Sequence, residues 1–371
     1  MMLLEELDLE DFRNYLRMGH ESFSKLLDSV HTAMREAVPP EERLVSTLRY
    51  LVTGIDYADL KYSTAIPPQL LSESFQKHVK LSTRYCGTTY RLVVDVPVFV
   101  FQIPATGKKN WLETAHQFET MWQFTNCVGC MDGRHVLLNK PPGSGSLFYN
   151  FKETFSVVLF AVVNANYEFM HLHSGVNGSV TDSGVLKHTN FYENFVSGKL
   201  NLPLPWLLPG TNILAPYVFL GDGNTPKTSK FAISEDVLKS FPQKNLTHEK
   251  RIFNYRLSRA RRVVENVFGI LSSRFRLFQK PILLDIDNVD KKKFQRLYYK
   301  YCSCVDNEDI DDGSFREGDW RRGNAWINLD RNNVTRQSQI GNNVRNIFTD
   351  YFNGAGSVPF QRTINVLGSM H

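Results

Sequence analysis

Long apolar runs are missing from this chain of 371 residues. No stretch approaches the roughly 20 apolar residues of a membrane span, so no membrane partner is expected. Cysteine is scarce: five residues, an odd number without disulfide-like spacing, suit a reducing compartment rather than a disulfide scaffold. The opening residues, Met1-Met-Leu-Leu-Glu-Glu-Leu-Asp8, lack the basic segment of a secretory signal, and a soluble intracellular protein is the expectation.

Pieces of three familiar sites are also missing. Gly221-Asp-Gly-Asn-Thr-Pro-Lys227-Thr228 nearly spells a phosphate-binding loop, but Pro226 stands where its second glycine is needed. Proline has no N–H to offer a phosphate and cannot take a positive φ. Cys127 and Cys130 have zinc-like spacing, yet an odd separation on a strand sends two side chains to opposite faces. Cys302 and Cys304 have no second ligand pair at useful spacing. His171 and His173 share a strand face without an evident third ligand, and read as ordinary core or surface histidines.

What is present suffices for a core: 42% hydrophobic and 12% aromatic residues, enough for one large domain with a smaller one or for one elaborated domain. The net charge of +5 is modest but unevenly placed. Residues 249–300 hold fourteen Lys and Arg against five Asp and Glu, a surplus of nine. Residues 305–319 hold seven acids and one Arg. Such a basic block is a solvated face unless it borders a site, where it would suit a polyanion.

Residues 1–122 read as a helical region. Leu44, Leu48 and Leu51 recur at helical spacing and Gly54 is a plausible stop. Helices are also expected over 70–79 and 111–122, and an extended segment over 93–101. The region reads as a helical cap, with a degenerate helix-turn-helix DNA reader as the alternative. From 123 to 284 the texture is mixed α/β. Apolar strands are expected at 127–138 and 155–164, with a turn at 164–167 leading into a strand at 168–174. A helix capped by Thr181-Asp182 should run to Phe195, and a Pro-rich loop then leads to a strand ending at Asp222. A long helix is expected over about 249–275. In an RNase H-like sheet, flanked by helices and preceded by the helical region, the first and fourth strands would be neighbours. Residues 285–371 read as a partly disordered tail without a core element beyond Asp290.

Three carboxylates stand out in that frame. Asp132 interrupts a buried apolar strand, and Asp222 ends another. Glu265 is the only acid between Arg251 and Arg276. Ala260, Val263, Val264, Val267, Phe268 and Leu271 form one apolar stripe, and Glu265 lies on its shoulder, about 60° from Phe268. An i, i+4 pair with Arg261 would explain Glu265 alone. It would not explain the strand acids. Each like-charge pair of carboxylates at 4 Å repels by about 1 kcal/mol in water and about 4 at an effective dielectric of 20, which a divalent cation offsets. Mg²⁺ or Mn²⁺ suits such oxygen donors, and a pair of them can act on a phosphodiester. Asp182 reads, by itself, as a helix cap.

These residues sit in recognisable motifs. Gly129-Cys-Met-Asp132-Gly-Arg-His135-Val, Gly178-Ser-Val-Thr-Asp182, Leu220-Gly-Asp222 and the run from Phe253 through Glu265-Asn-Val-Phe-Gly-Ile-Leu271 resemble, in order, the catalytic domain of the PIF/Harbinger transposases and the nucleases derived from them. The resemblance covers about residues 125–282. It implies an RNase H-like fold, a catalytic triad of Asp132, Asp222 and Glu265, and Asp182 as a further acidic metal position. It also implies metal-dependent hydrolysis of DNA with or without strand transfer, a nuclear location and a Myb-like DNA-binding partner. Oligomerisation is compatible with it. Arg256, Arg259, Arg261, Arg262 and Arg274 are then the expected backbone phosphate contacts. Gly223-Asn-Thr-Pro-Lys227 departs from the family's pattern after the second Asp, and the segment past Ile286 departs as well. An inactive, domesticated DNA-binding or scaffold protein is therefore the second reading.

Overall fold

The computed structural model describes residues 8–16, 38–71, 108–141, 143–179, 185–186, 189–221, 237–244, 246–282 and 339–361. It adds residues 19, 21, 23, 24 and 27 and the pairs 307–308, 315–316 and 327–328. Of the expected helix over 70–79, residues 70–71 are helical and 72–79 lie outside the described residues, as does the expected extended segment over 93–101.

The helical start is as expected, with α1 at Leu9–Leu16, α2 at Pro40–Thr53, α3 at Tyr57–Thr64 and α4 at Lys108–Trp122. Proline opens α2, where its missing N–H costs nothing. Gly54 closes α2 at φ +60°, and a Cβ there would stand 2.8 Å from the Arg276 carbonyl oxygen. That close approach fixes the end of α2 against the 3-10 turn Arg276–Gln279. Leu44 and Leu48 pack with Phe12, Leu16 and Phe23 in a small satellite core. Tyr50, Leu51 and Val52 join the main one.

The sheet begins with β1 at Cys127–Leu138, β2 at Phe155–Val163 and β3 at Phe169–Asn177, all antiparallel neighbours. A separate two-stranded hairpin follows, β4 at Trp206–Leu207 and β5 at Leu214–Ala215. Then β6 at Val218–Gly221 lies parallel beside β1, and β7 at Val237–Leu238 lies parallel beside β6. The order β3-β2-β1-β6-β7 puts the first strand next to the fourth strand of the predicted series. Two short strands, β8 at Asn307–Glu308 and β9 at Phe315–Arg316, pair with each other. A third, β10 at Ile327–Asn328, pairs with β1. The fold is α/β, an RNase H-like mixed sheet flanked by helices and preceded by a helical region.

Both faces of the sheet are covered, which is why β1 and β2 read as continuous apolar runs. One face meets the 27-residue helix α6, His248–Arg274. The other meets α5, Asn190–Val196, and the start of α4. The expected helix 181–195 does not run unbroken: residues 185–186 are helical, Thr189 is extended, and α5 starts after Thr189, whose hydroxyl accepts from the Tyr192 amide at 3.0 Å. Thr181 and Asp182 lie outside the described residues.

The tail expectation needs correction. Helix α7, Gln339–Asn353, packs on α6, and Phe348 and Phe352 are fully buried in the main core. Its sequence is rich in Asn, but Val344, Phe348 and Phe352 recur at i, i+4, i+8 and supply one apolar stripe.

Candidate active site

Asp132 sits where the pairing of β1 changes. On one edge, β2 pairs with β1 without interruption from Cys130 to Leu138. On the other, β6 ends opposite Met131, and β10 begins opposite Arg134. Asp132 and Gly133 therefore face the interval between two described strands. Gly221, opposite Met131, is the last described residue before Asp222.

The face on which Asp132 lies follows from its neighbours two residues away, since strand side chains alternate. The Cys130 thiol donates to the Ala260 carbonyl of α6 at 3.4 Å. The Arg134 guanidinium lies over the Phe268 ring, 5.8 Å from its centroid. Asp132, between them, faces α6 between Ala260 and Phe268. Glu265 falls within that interval. The strand acid and the helix acid thus share one side of the sheet, bracketed by these two contacts.

Each of these two acids has an arginine beside it. Arg134 Nε lies 3.5 Å from Asp132 Oδ2, without the alignment of a hydrogen bond. Asp132 Oδ1 accepts from the Gly133 amide at 2.9 Å. Arg261 Nη2 donates to Glu265 Oε1 at 2.9 Å, so the expected i, i+4 pair is present. The Asp132 side chain is 9% exposed and that of Glu265 30%, which leaves both reachable from solvent. Arg134 was the partner that sequence periodicity did not flag, although i+2 on a strand is the spacing that puts it on the acid's face.

Asp182 and Asp222 lie outside the described residues, so two of the four predicted acids are not placed. Among the described residues no group of three or more His, Cys, Asp and Glu gathers as a metal site.

The arginines divide. Arg256 and Arg259 are corrections: both are 2% exposed and turned into the core. Arg256 donates to the Gly356 carbonyl at 3.1 Å, to Gln361 Oε1 at 3.0 Å and to the Gln123 carbonyl. Arg259 donates to the Trp122 carbonyl at 3.3 Å and to Gln123 Oε1. The two guanidiniums close the C-terminal end of α4, where helix carbonyls lack partners and the dipole is negative. They also hold residues 356–361 against α6 and lie over the Phe352 and Phe360 rings. Burial pulls both down to about 10, so they stay charged at neutral pH. Arg261, Arg262 and Arg274 are only partly buried.

Cys127 and Cys130 lie on one face of β1, not on opposite faces. A β-bulge between Cys127 and Gly129 adds a residue, which returns Cys127 to the face of Cys130. The two thiols are in contact beneath α6, and burial pushes the Cys130 thiol well up. On the opposite face, His135 Nδ1 lies 2.7 Å from Ser156 Oγ, which also accepts from Asn150 Nδ2 at 2.9 Å. Burial, with Lys152 nearby, pushes His135 down to about 4. The His171 ring packs tilted against Phe191, and burial pushes it down to about 3.

Two comparisons with known proteins give matches. Residues 131–293, which contain all four acids, match the family described as DDE superfamily endonuclease. The Arabidopsis thaliana protein named "Protein ALP1-like" is 26% identical over 192 residues, 51% of this chain and 45% of that protein. The chain thus spans under half the length of that relative. No solved structure matches. Both matches support a transposase-derived nuclease family for this part of the chain.

Proposed function

We propose that this protein is an endonuclease derived from a PIF/Harbinger transposase, hydrolysing DNA phosphodiester bonds with divalent metal ions. Asp132, Asp222 and Glu265 are the proposed catalytic metal-holding residues, with Asp182 a fourth oxygen donor. The observation that supports this reading best is the bracket of contacts, Cys130 to Ala260 and Arg134 to Phe268, around Asp132 and Glu265.

The residues present fit a hard cation. Two carboxylates on one face, from a strand and a helix, supply oxygen donors of the kind Mg²⁺ and Mn²⁺ prefer. Arg134 and Arg261 already set positive charge beside the two carboxylates, which supports a cation as their counter-charge. A bound dication would supply activation of water and stabilisation of the leaving oxygen. The chain itself holds Asp132 in position through the Gly133 amide and the β2 pairing, and Glu265 through a helix buried on two sides.

The test is nicking of supercoiled DNA in Mg²⁺ or Mn²⁺ by wild type, Asp132→Asn and Glu265→Gln. Cleavage by wild type and its loss in both variants is expected. Equal cleavage by all three contradicts the assignment. DNA binding with no cleavage by wild type would support a non-catalytic DNA-binding or scaffold protein instead.

A further inference from the structure

A second concave surface lies away from the acids, at the ends of β1 and β6 where these two parallel strands begin. It is a cleft of about 440 Å³ between α4 and the β4–β5 hairpin. Leu112, Ala115, His116 and Glu119 recur at i, i+3, i+4 and i+7, so a single stripe of α4 forms one wall. Trp206 and Leu207 of β4 form the other, and Tyr217, which precedes β6, lines the cleft between them. Both walls are tied down. Trp111 Nε1 donates to the Leu200 carbonyl at 2.8 Å, and Asn126 Nδ2 donates to the Ala215 carbonyl of β5 at 3.2 Å. Trp206 is nevertheless 65% exposed, and Leu112, Leu207 and Leu214 are exposed too, with Leu207 and Leu214 opposite each other in the hairpin. An apolar surface left to water on a fixed frame is the mark of an interaction site.

The chemistry of the occupant follows from the lining. Pro205 and Pro209 bracket β4 and blunt its edge against an added strand, so side chains carry the recognition. Glu119 is the one carboxylate among the described residues that line the cleft, and none of them is Lys or Arg. A phosphate backbone is repelled by such a surface. Burial and the Glu119 carboxylate push the Tyr217 hydroxyl up, which puts that carboxylate within electrostatic reach of the Tyr217 ring. An acid beside Trp and Tyr rings, rimmed by leucines, suits a cation carried on an apolar stem. We propose that this cleft docks a peptide segment of a partner protein in which a Lys or Arg is flanked by apolar residues. The cation meets Glu119 and Trp206, and the apolar residues meet Leu112 and Leu207. From Asn126 at the cleft to Asp132 is roughly 20 Å of strand, so the docking site is separate from the acids.

Fluorine magnetic resonance of the full chain labelled with fluorotryptophan tests this, with the Trp206 signal identified from Trp206→Phe. Blocked peptides of the form Ala-Leu-X-Leu-Ala, where X is Arg, Lys, Gln or Glu, are titrated in turn. The Arg and Lys peptides should shift the Trp206 signal and bind about tenfold more tightly than the Gln and Glu peptides. Glu119→Gln should remove that preference, and Glu119→Asp, which keeps the charge, should retain part of it and carries the test if the glutamine variant does not fold. Leu112→Ser, at an exposed position, should weaken all four peptides alike. Equal binding of the four peptides by wild type, or no shift by any of them at millimolar concentration, overturns the proposal. So does a Trp206 signal shifted by a DNA duplex, which would assign the face to nucleic acid. A monomer–dimer equilibrium abolished by Trp206→Ser would assign it to a second copy and overturns the proposal as well. None of these outcomes alters the nicking assay, so the endonuclease reading stands or falls separately.

Discussion

The Cys130 thiol reaches the Ala260 carbonyl at 3.4 Å, which locks β1 to α6 two residues before Asp132 and five before Glu265. Their separation in sequence is bridged by this contact and by Arg134 over Phe268. The same contact seals the thiol. In the native protein Cys127 and Cys130 should resist a disulfide-exchange reagent at pH 8, and react once the chain is unfolded in urea. Peptide mapping identifies the labelled positions, and rapid native labelling of Cys130 would mean that α6 does not cover β1.

Arginines of one helix should fall into two classes. Arg256→Ala leaves carbonyl oxygens without donors and removes bonds from a charged group, at a cost of about 3 kcal/mol in stability. Arg259→Ala should behave alike, and neither should change the salt dependence of DNA binding in the fraction that stays folded. Arg262→Ala should change stability little and lower the slope of log affinity against log salt by about 1. Urea unfolding and salt titrations measure the two effects. The reverse pattern would return Arg256 and Arg259 to the DNA surface.

Stability should fall with acid through the buried histidines. His135 is held at about 4 against an ordinary 6.5, so the unfolded chain takes up its proton first. Its neutral burial contributes fully above about pH 6.5, and the contribution is lost as pH falls from there towards 4. His171, at about 3, extends the loss to lower pH. For His135 alone the loss is about 3 kcal/mol at most. The gap in unfolding free energy between wild type and His135→Gln should therefore shrink between pH 7 and pH 4.5. A constant gap would show that His135 ionises normally in the folded protein.

The C-terminal helix should be part of the cooperative fold. Phe348 stacks on Phe124, with ring centroids 5.8 Å apart, and is fully buried. Phe348→Ala should cost about 3–5 kcal/mol, as core Phe truncations do. A cost below 1 kcal/mol, read from urea midpoints, would make α7 an appendage.

The sheet and α6 were legible because their signals are local. Continuous apolar runs marked β1 and β2, and the stripe from Ala260 to Leu271 marked α6 and its buried side. What was illegible depended on contacts between distant segments. Arg256 and Arg259 look like surface charges until residues 122–123 and 356–361 are placed against them. The bulge after Cys127 leaves no local trace, so the rule of alternate faces failed for that pair. Helix α7 was hidden by its asparagines, which obscure a narrow three-residue stripe. Arg134 was legible only in retrospect, as the residue two positions beyond an acid on a strand.

The most direct measurement of the central claim is the number of Mn²⁺ ions bound per chain, counted by electron paramagnetic resonance for wild type, Asp132→Asn and Glu265→Gln. The account predicts binding by the wild type that is lost or weakened at least tenfold in both variants, with the native fold retained by circular dichroism. Binding unaffected by either substitution would contradict a shared metal pocket between β1 and α6.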